Sequence, residues 1–225
     1  MTKKDNYEFL KSKYGNVASW TIWDKAPDGS ETKNLNVGGS EWCSDENALI
    51  RRIHEKYVFV AANPFSEKTK DKETAPDKVE KHKSKLPWMS NFHSSRRNAH
   101  DHKLRYATAG TEMEGCYITD LIKDVESSNV NSFIEDKKKN GESVASIIAR
   151  NIAVFKEEIS HFSKKPIIIA LGKFAYEMLM KQHLDKEYKV VPMSHYSSTI
   201  QLFTKKGLTF DLYKKEAQDI MNSCK

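Results

Sequence analysis

Cysteine is scarce in this 225-residue chain, and the three present, Cys43, Cys116 and Cys224, lie far apart. They can build neither a Cys-x-x-Cys metal site nor a disulfide framework, which points to a reducing compartment and a cytoplasmic protein. Long apolar runs are missing too, and none approaches the ~20 residues of a membrane helix. The start, Met1-Thr2-Lys3-Lys4-Asp5-Asn6, lacks the apolar stretch of an export signal. The expectation is a protein with neither a leader nor a membrane partner.

What is present is charge and a moderate apolar content. Lysine and arginine outnumber acids to give a net charge of +6 with 38% hydrophobic residues, and the pI is near 9.0. Such a surface is drawn toward polyanions, nucleic acid among them, although lysine-rich solvated faces are common without that role. At this length one domain with a full core is expected.

The apolar residues fall into a repeating order. Val58-Phe59-Val60-Ala61-Ala62 is unbroken and ends at Asn63-Pro64; the segments Cys116 to Ile122, Pro166 to Leu171 and Tyr188 to Met193 are similar. Runs without alternation fit strands covered on both faces, as in a parallel sheet. Between them, Ala48, Leu49, Ile50 and Ile53 predict a helix over residues 47–57, capped by Ser44 or Asp45. Val144, Ile147, Ile148, Phe155, Ile159 and Phe162 predict a long amphipathic helix, Gly172 opens another bearing Phe174, Met178 and Leu179, and a last one spans residues 209–222. Strands alternating with helices predict an α/β fold: a three-layer α/β/α sandwich on a central, mostly parallel four-stranded sheet. Ser19-Trp20-Thr21-Ile22-Trp23 is a candidate edge strand, followed by turn chemistry at Pro27-Asp28-Gly29 and Gly38-Gly39. Residues 66–87, rich in lysine and acids, predict a loop.

Two loops follow apolar runs directly: Ala62-Asn63-Pro64-Phe65 and Ser194-His195-Tyr196-Ser197. Polar groups at the carboxyl ends of parallel strands are where an open α/β sheet builds its ligand site. In order, Ala61-Ala62-Asn63-Pro64-Phe65, Ile118-Thr119-Asp120-Leu121-Ile122-Lys123, the Ile167 to Leu171 strand with Gly172, and His195-Tyr196-Ser197 resemble the motifs of the uracil-DNA glycosylase superfamily. The resemblance runs from about residue 47 to 203, and Asn63 matches the branch that uses asparagine, the mismatch-specific glycosylases. The four cysteine ligands of the iron-sulfur branch are absent, so no cofactor is implied. Trp88 to Lys123 has no counterpart in the well-studied branches, which suggests a divergent one. The implied organisation is a single domain over 1–225, with an N-terminal extension over 1–46 and a loop-rich insertion over 66–110.

The resemblance implies roles. Asn63 would hold the attacking water and a neutral His195 would donate to the oxyanion of the departing base, which makes these two the catalytic candidates. Phe65 would stack on an extruded base and Asp120 would read its edge. Relatives use an asparagine amide at Asp120, which both donates and accepts. An ionised aspartate only accepts, so it favours exocyclic amines over uracil, unless it is protonated. An aspartate there can equally cap a turn or pair with Lys123 or Arg105. Ser194, Ser197, Ser198, Arg96, Arg97 and Lys123 are the candidate nucleic-acid contacts, with Lys103 and Arg105 also suited to phosphate. Thr199 or Ile200 falls where relatives present an apolar wedge, and Tyr196 replaces a proline. His93, His100, Asp101 and His102 hold possible ligand types but no recognised zinc spacing, so no metal is assigned.

The expected function is release of a base from DNA by N-glycosidic hydrolysis. The alternatives are a non-catalytic nucleic-acid or nucleotide binding protein on the same fold, and a different hydrolase built on residues 91–105.

Overall fold

A computed structural model of the chain describes residues 2–24, 45–62, 92–93, 100–123, 135 and 141–225. In chain order these form α1 (Lys3–Tyr14), β1 (Ala18–Trp20), α2 (Glu46–Arg52), β2 (His54–Ala61), α3 (Asp101–Thr108), β3 (Cys116–Asp120), α4 (Val144–Ser160), β4 (Ile167–Leu171), α5 (Lys173–Lys181), a 3-10 turn (Leu184–Lys186), β5 (Val190–Met193) and α6 (Phe210–Ser223). Short polar side chains start most of the helices. Thr2 and Asp5 form a reciprocal capping box on α1, while Asp45, Ser143 and Thr209 accept from the third amide beyond them in α2, α4 and α6. Each satisfies an amide that the helix itself cannot.

The sheet has the order β1-β3-β2-β4-β5. β2 through β5 run parallel, and β1 lies antiparallel on the outer side of β3. The four parallel strands are thus joined by the predicted edge strand, and the sheet has five strands rather than four. β5 is the other edge, which explains why it can carry Pro192: the missing N–H breaks no inner ladder.

Alternation along the strands separates two apolar layers. Val58, Val60, Tyr117, Ile168 and Ala170 face α1, α2, α4 and α5, where Leu10, Leu49, Phe155 and Leu179 cover them. Tyr57, Phe59, Ile118, Ile169 and Leu171 face α3 and α6, under Leu104, Ala107, Tyr213 and Ala217. Three layers, helix, sheet and helix, follow from this period of two.

One expected boundary is corrected. The helix predicted over 47–57 stops at Arg52; Ile53 is extended (φ −67°, ψ 151°) and the strand begins at His54. The His54 amide donates to the Gly115 carbonyl at 2.8 Å, so pairing with the β3 segment captures residues that the apolar spacing had assigned to the helix.

The register brings the strand ends level. Ala61 lies opposite Asp120, Val60 opposite Ala170, and Leu171 opposite Met193. From β2 the chain goes outward to β3 and then returns to β4 on the other side of β2. That reversal opens a crevice at the carboxyl ends of β2 and β4.

Candidate functional site

The crevice is bordered by the loop after β5, and a glycine lets that loop close in. Gly172, just past β4, has φ +87° and ψ 166°, a conformation reserved for glycine. A Cβ placed on it would stand 3.2 Å from the His195 Cβ, and its amide donates to the Met193 carbonyl at 2.7 Å. The turn after β4 therefore bonds the last residue of β5 and lies directly against the His195 side chain.

The ring of His195 is fixed from its own loop. The Ser197 amide donates to Nδ1 at 3.2 Å, with the Ser197 hydroxyl 2.7 Å from the same atom. An Nδ1 that accepts an amide proton carries none of its own, so the neutral imidazole holds its proton on Nε2. Removal from water, then the positive Lys103 and His100, hold the His195 pKa down to about 4. Near neutral pH it is an uncharged donor through Nε2. Tyr196 stacks on it, ring centroids 4.4 Å apart. The Tyr196 hydroxyl bonds the Asp101 carboxylate; burial first, then the charges of Asp101 and Asp120, push its ionisation far above the ordinary value.

The start of α3 is the second wall. His100 is left-handed at φ +61°, and its ring stacks on that of His102 at 5.9 Å. His102 is buried against Phe210 at 5.4 Å, and burial, then His100, Arg105 and Lys103, lower its pKa to about 4. The buried Lys103 donates to the Ser198 and Leu208 carbonyls, both at 3.3 Å. Among the described residues no group of three or more His, Cys, Asp or Glu side chains could hold a metal ion.

The structure sorts the residues singled out from the sequence. His195, Ser197 and Ser198 lie together in the loop after β5; Asp120 is buried at the end of β3, where its charge is felt by Tyr196. Ser194 is turned inward: its amide and hydroxyl donate to Glu216 at 2.7 and 3.0 Å, and its Oγ accepts the Leu202 amide at 2.8 Å. It ties the loop to α6 instead of offering its hydroxyl to a phosphate. Ser198 bonds the Ile200 carbonyl through its hydroxyl at 2.9 Å.

Lys123 is a correction. Its ammonium pairs with Glu158 at 2.7 Å and also donates to the Thr119 hydroxyl and the Asp120 carbonyl; the side chain is 9% exposed. A cation held by a buried carboxylate is not a phosphate contact. Arg105 is likewise buried, bonding the Asp24 carbonyl at 3.2 Å, and Lys103 points into the loop carbonyls. His93 bonds the hydroxyl of Ser19, in β1, at 2.8 Å, away from α3's histidines in role. Asn63, Phe65, Arg96, Arg97 and the 66–87 segment lie outside the described residues.

Two contacts carry no signal of their own in the sequence: the approach of Gly172 to His195, and the tie from Asp101 to the Tyr196 hydroxyl. Phe203 is 66% exposed and Ile200 45%, the two large exposed apolar side chains among the described residues, both in the loop that an Ile200–Gly207 bridge closes.

Compared with family models, residues 59–219 match the uracil DNA glycosylase superfamily. The chain belongs to that superfamily. Comparison with curated proteins and with solved structures found no match. The superfamily match takes in β3, β4, β5 and the loop after β5, and begins inside β2. No helix among the described residues is long and apolar enough to cross a membrane.

Proposed function

We propose that this protein hydrolyses an N-glycosidic bond and releases a base from DNA. The observation that carries the reading is His195: a neutral imidazole whose Nδ1 is taken by the Ser197 amide, leaving an Nε2 proton to donate at the carboxyl edge of the sheet. In this reaction the bond between C1′ and the base nitrogen breaks, leaving an oxocarbenium-like sugar and a base anion. The His195 Nε2–H donates to the developing oxyanion of the base, Asn63 holds the water whose oxygen adds to C1′, and the released proton passes to solvent. An amide aligns water without accepting its proton, so the reaction is slower than one with a carboxylate.

Asp120 governs which base fits. As an ionised acceptor it suits an exocyclic amine, and its charge is felt by Tyr196. Phe65 closes the pocket on the extruded base, Arg96 and Arg97 meet phosphates, and the exposed Ile200 and Phe203 fill the gap left in the stack.

A second reading is a binding protein on the same fold that has lost excision. Asp120 and Tyr196, which stand where relatives carry asparagine and proline, favour it. Abasic-site formation on single- and double-stranded DNA bearing uracil, hypoxanthine, xanthine or cytosine separates the two. Glycosylase action is expected to fall by about 10²-fold or more in His195→Ala and in Asn63→Ala, with binding retained. No cleavage by the unaltered protein on any substrate, with salt-sensitive binding kept, selects the binding protein.

A further inference from the structure

Lys103 is an ammonium carried into the interior with two carbonyls and no carboxylate. Its contacts are the Ser198 and Leu208 oxygens and, at 5.9 Å, the face of Phe210. Among the described residues no carboxylate pairs with it, since Asp101 on the same helix is engaged with the Tyr196 hydroxyl. Burying a cation on neutral partners is costly, and its own pKa is lowered by that burial. Helix α3 meets this cost at one place, over the loop that carries His195.

The two carbonyls are the two ends of that loop. The Ser198 amide donates back to the His195 carbonyl at 2.8 Å, and the Leu208 amide donates to Thr199 at 2.8 Å, so one ammonium closes the excursion from 198 to 208. We propose that Lys103 is a positioning residue for His195, clamping both ends of its loop through the Ser198 and Leu208 carbonyls and setting a fixed positive charge beside the imidazole. This assignment deepens the glycosylase reading and rests on it for its functional meaning. Burial first, and then this charge, keep a second proton off the ring, so Nε2 donates from the neutral form. The same field favours negative charge on whatever atom that proton meets, such as the oxyanion of a departing base.

Among the described residues, the groups that face His195 come from three elements and its own loop. α3 supplies Lys103 and His100, with Asp101 acting through Tyr196; β3 supplies Asp120, also across Tyr196. α6 supplies Glu216, spent on Ser194, and the loop itself supplies the Ser197 hydroxyl. Among these described groups, Lys103 is the ammonium, and it is bonded to both loop carbonyls.

The test is an NMR titration of the His195 ring in the full chain, with Lys103→Met and Lys103→Arg. In the unaltered protein the ring stays neutral to about pH 4. Lys103→Met is expected to raise the midpoint by ~1 pH unit, and Lys103→Arg, which keeps the charge, to restore it. An unchanged midpoint in folded Lys103→Met overturns the proposal. If Lys103→Met does not fold, the unaltered protein still decides: the Lys103 Cε resonance must step as His195 titrates, and no step overturns the assignment. The readout needs no substrate. Coupling without abasic-site formation sinks the glycosylase reading alone, whereas base release lost in His195→Ala without the coupling sinks this one alone.

Discussion

The Glu158 carboxylate lies fully buried between α4 and the sheet, where it accepts from the Tyr117 hydroxyl at 2.7 Å, the Thr119 hydroxyl at 2.9 Å and the Lys123 ammonium at 2.7 Å. The backbone amide of Lys123 adds a bond to Asn151 at 2.9 Å. These contacts anchor the turn that carries Asp120, which makes the lysine part of the frame. Replacing it as Lys123→Met leaves an uncompensated buried charge and is expected to cost about 3–5 kcal/mol in urea unfolding. The double change Lys123→Met with Glu158→Gln removes that charge as well, and recovers part of the loss. A lysine that contacted phosphate would instead leave stability nearly intact and lower the salt dependence of nucleic-acid binding by about one unit.

Among the elements, the β4–α5 turn is where the backbone of the site is most demanding. Gly172 combines a glycine-only conformation with a 3.2 Å approach to His195. Gly172→Ala is expected to destabilise by about 1–3 kcal/mol and to displace the His195 ring, read as a loss of the Ser197-to-Nδ1 bond in imidazole nitrogen shifts. A variant with unchanged stability and shifts would show that the turn relaxes freely. The sequence made the parallel strands legible because a strand covered on both faces, such as Ile167–Leu171, is apolar at every position. It misjudged residues 54–57 because Ile53 continues a helical spacing whose end is set by pairing with Gly115, a partner 61 positions away. His195 could be found because its loop follows a strand directly. Lys103 and Asp101 could not be placed, since their roles come from Ser198, Leu208 and Tyr196, nearly a hundred residues along the chain. Lys123 was misread for the same reason: a lysine past a strand end does not announce a buried glutamate in another helix.

At the scale of the whole molecule, the withdrawn imidazoles make stability depend on acid. His102 and His195 take up a proton near 6.5 when unfolded but only near 4 when folded. His54 and His100 are lowered in the same direction, burial being the first cause for each. Between those limits the unfolded chain binds more protons than the native one, so stability falls as pH drops through 6.5 toward 4 and is unaffected by these groups above that window. Glu216 has the opposite sign: its carboxyl is raised by burial, so the native state gains relative to the unfolded one as it protonates. One carboxyl offsets only part of what four histidines lose. His102 alone is expected to cost on the order of 2 kcal/mol by about pH 5, a large share of the ~5–15 kcal/mol that holds a domain together. Urea midpoints at about pH 7.5 and pH 5 measure this, and His102→Gln should flatten the difference by roughly that amount. A midpoint that does not move between the two pH values would mean that these rings, His195 included, keep ordinary proton affinities in the folded state.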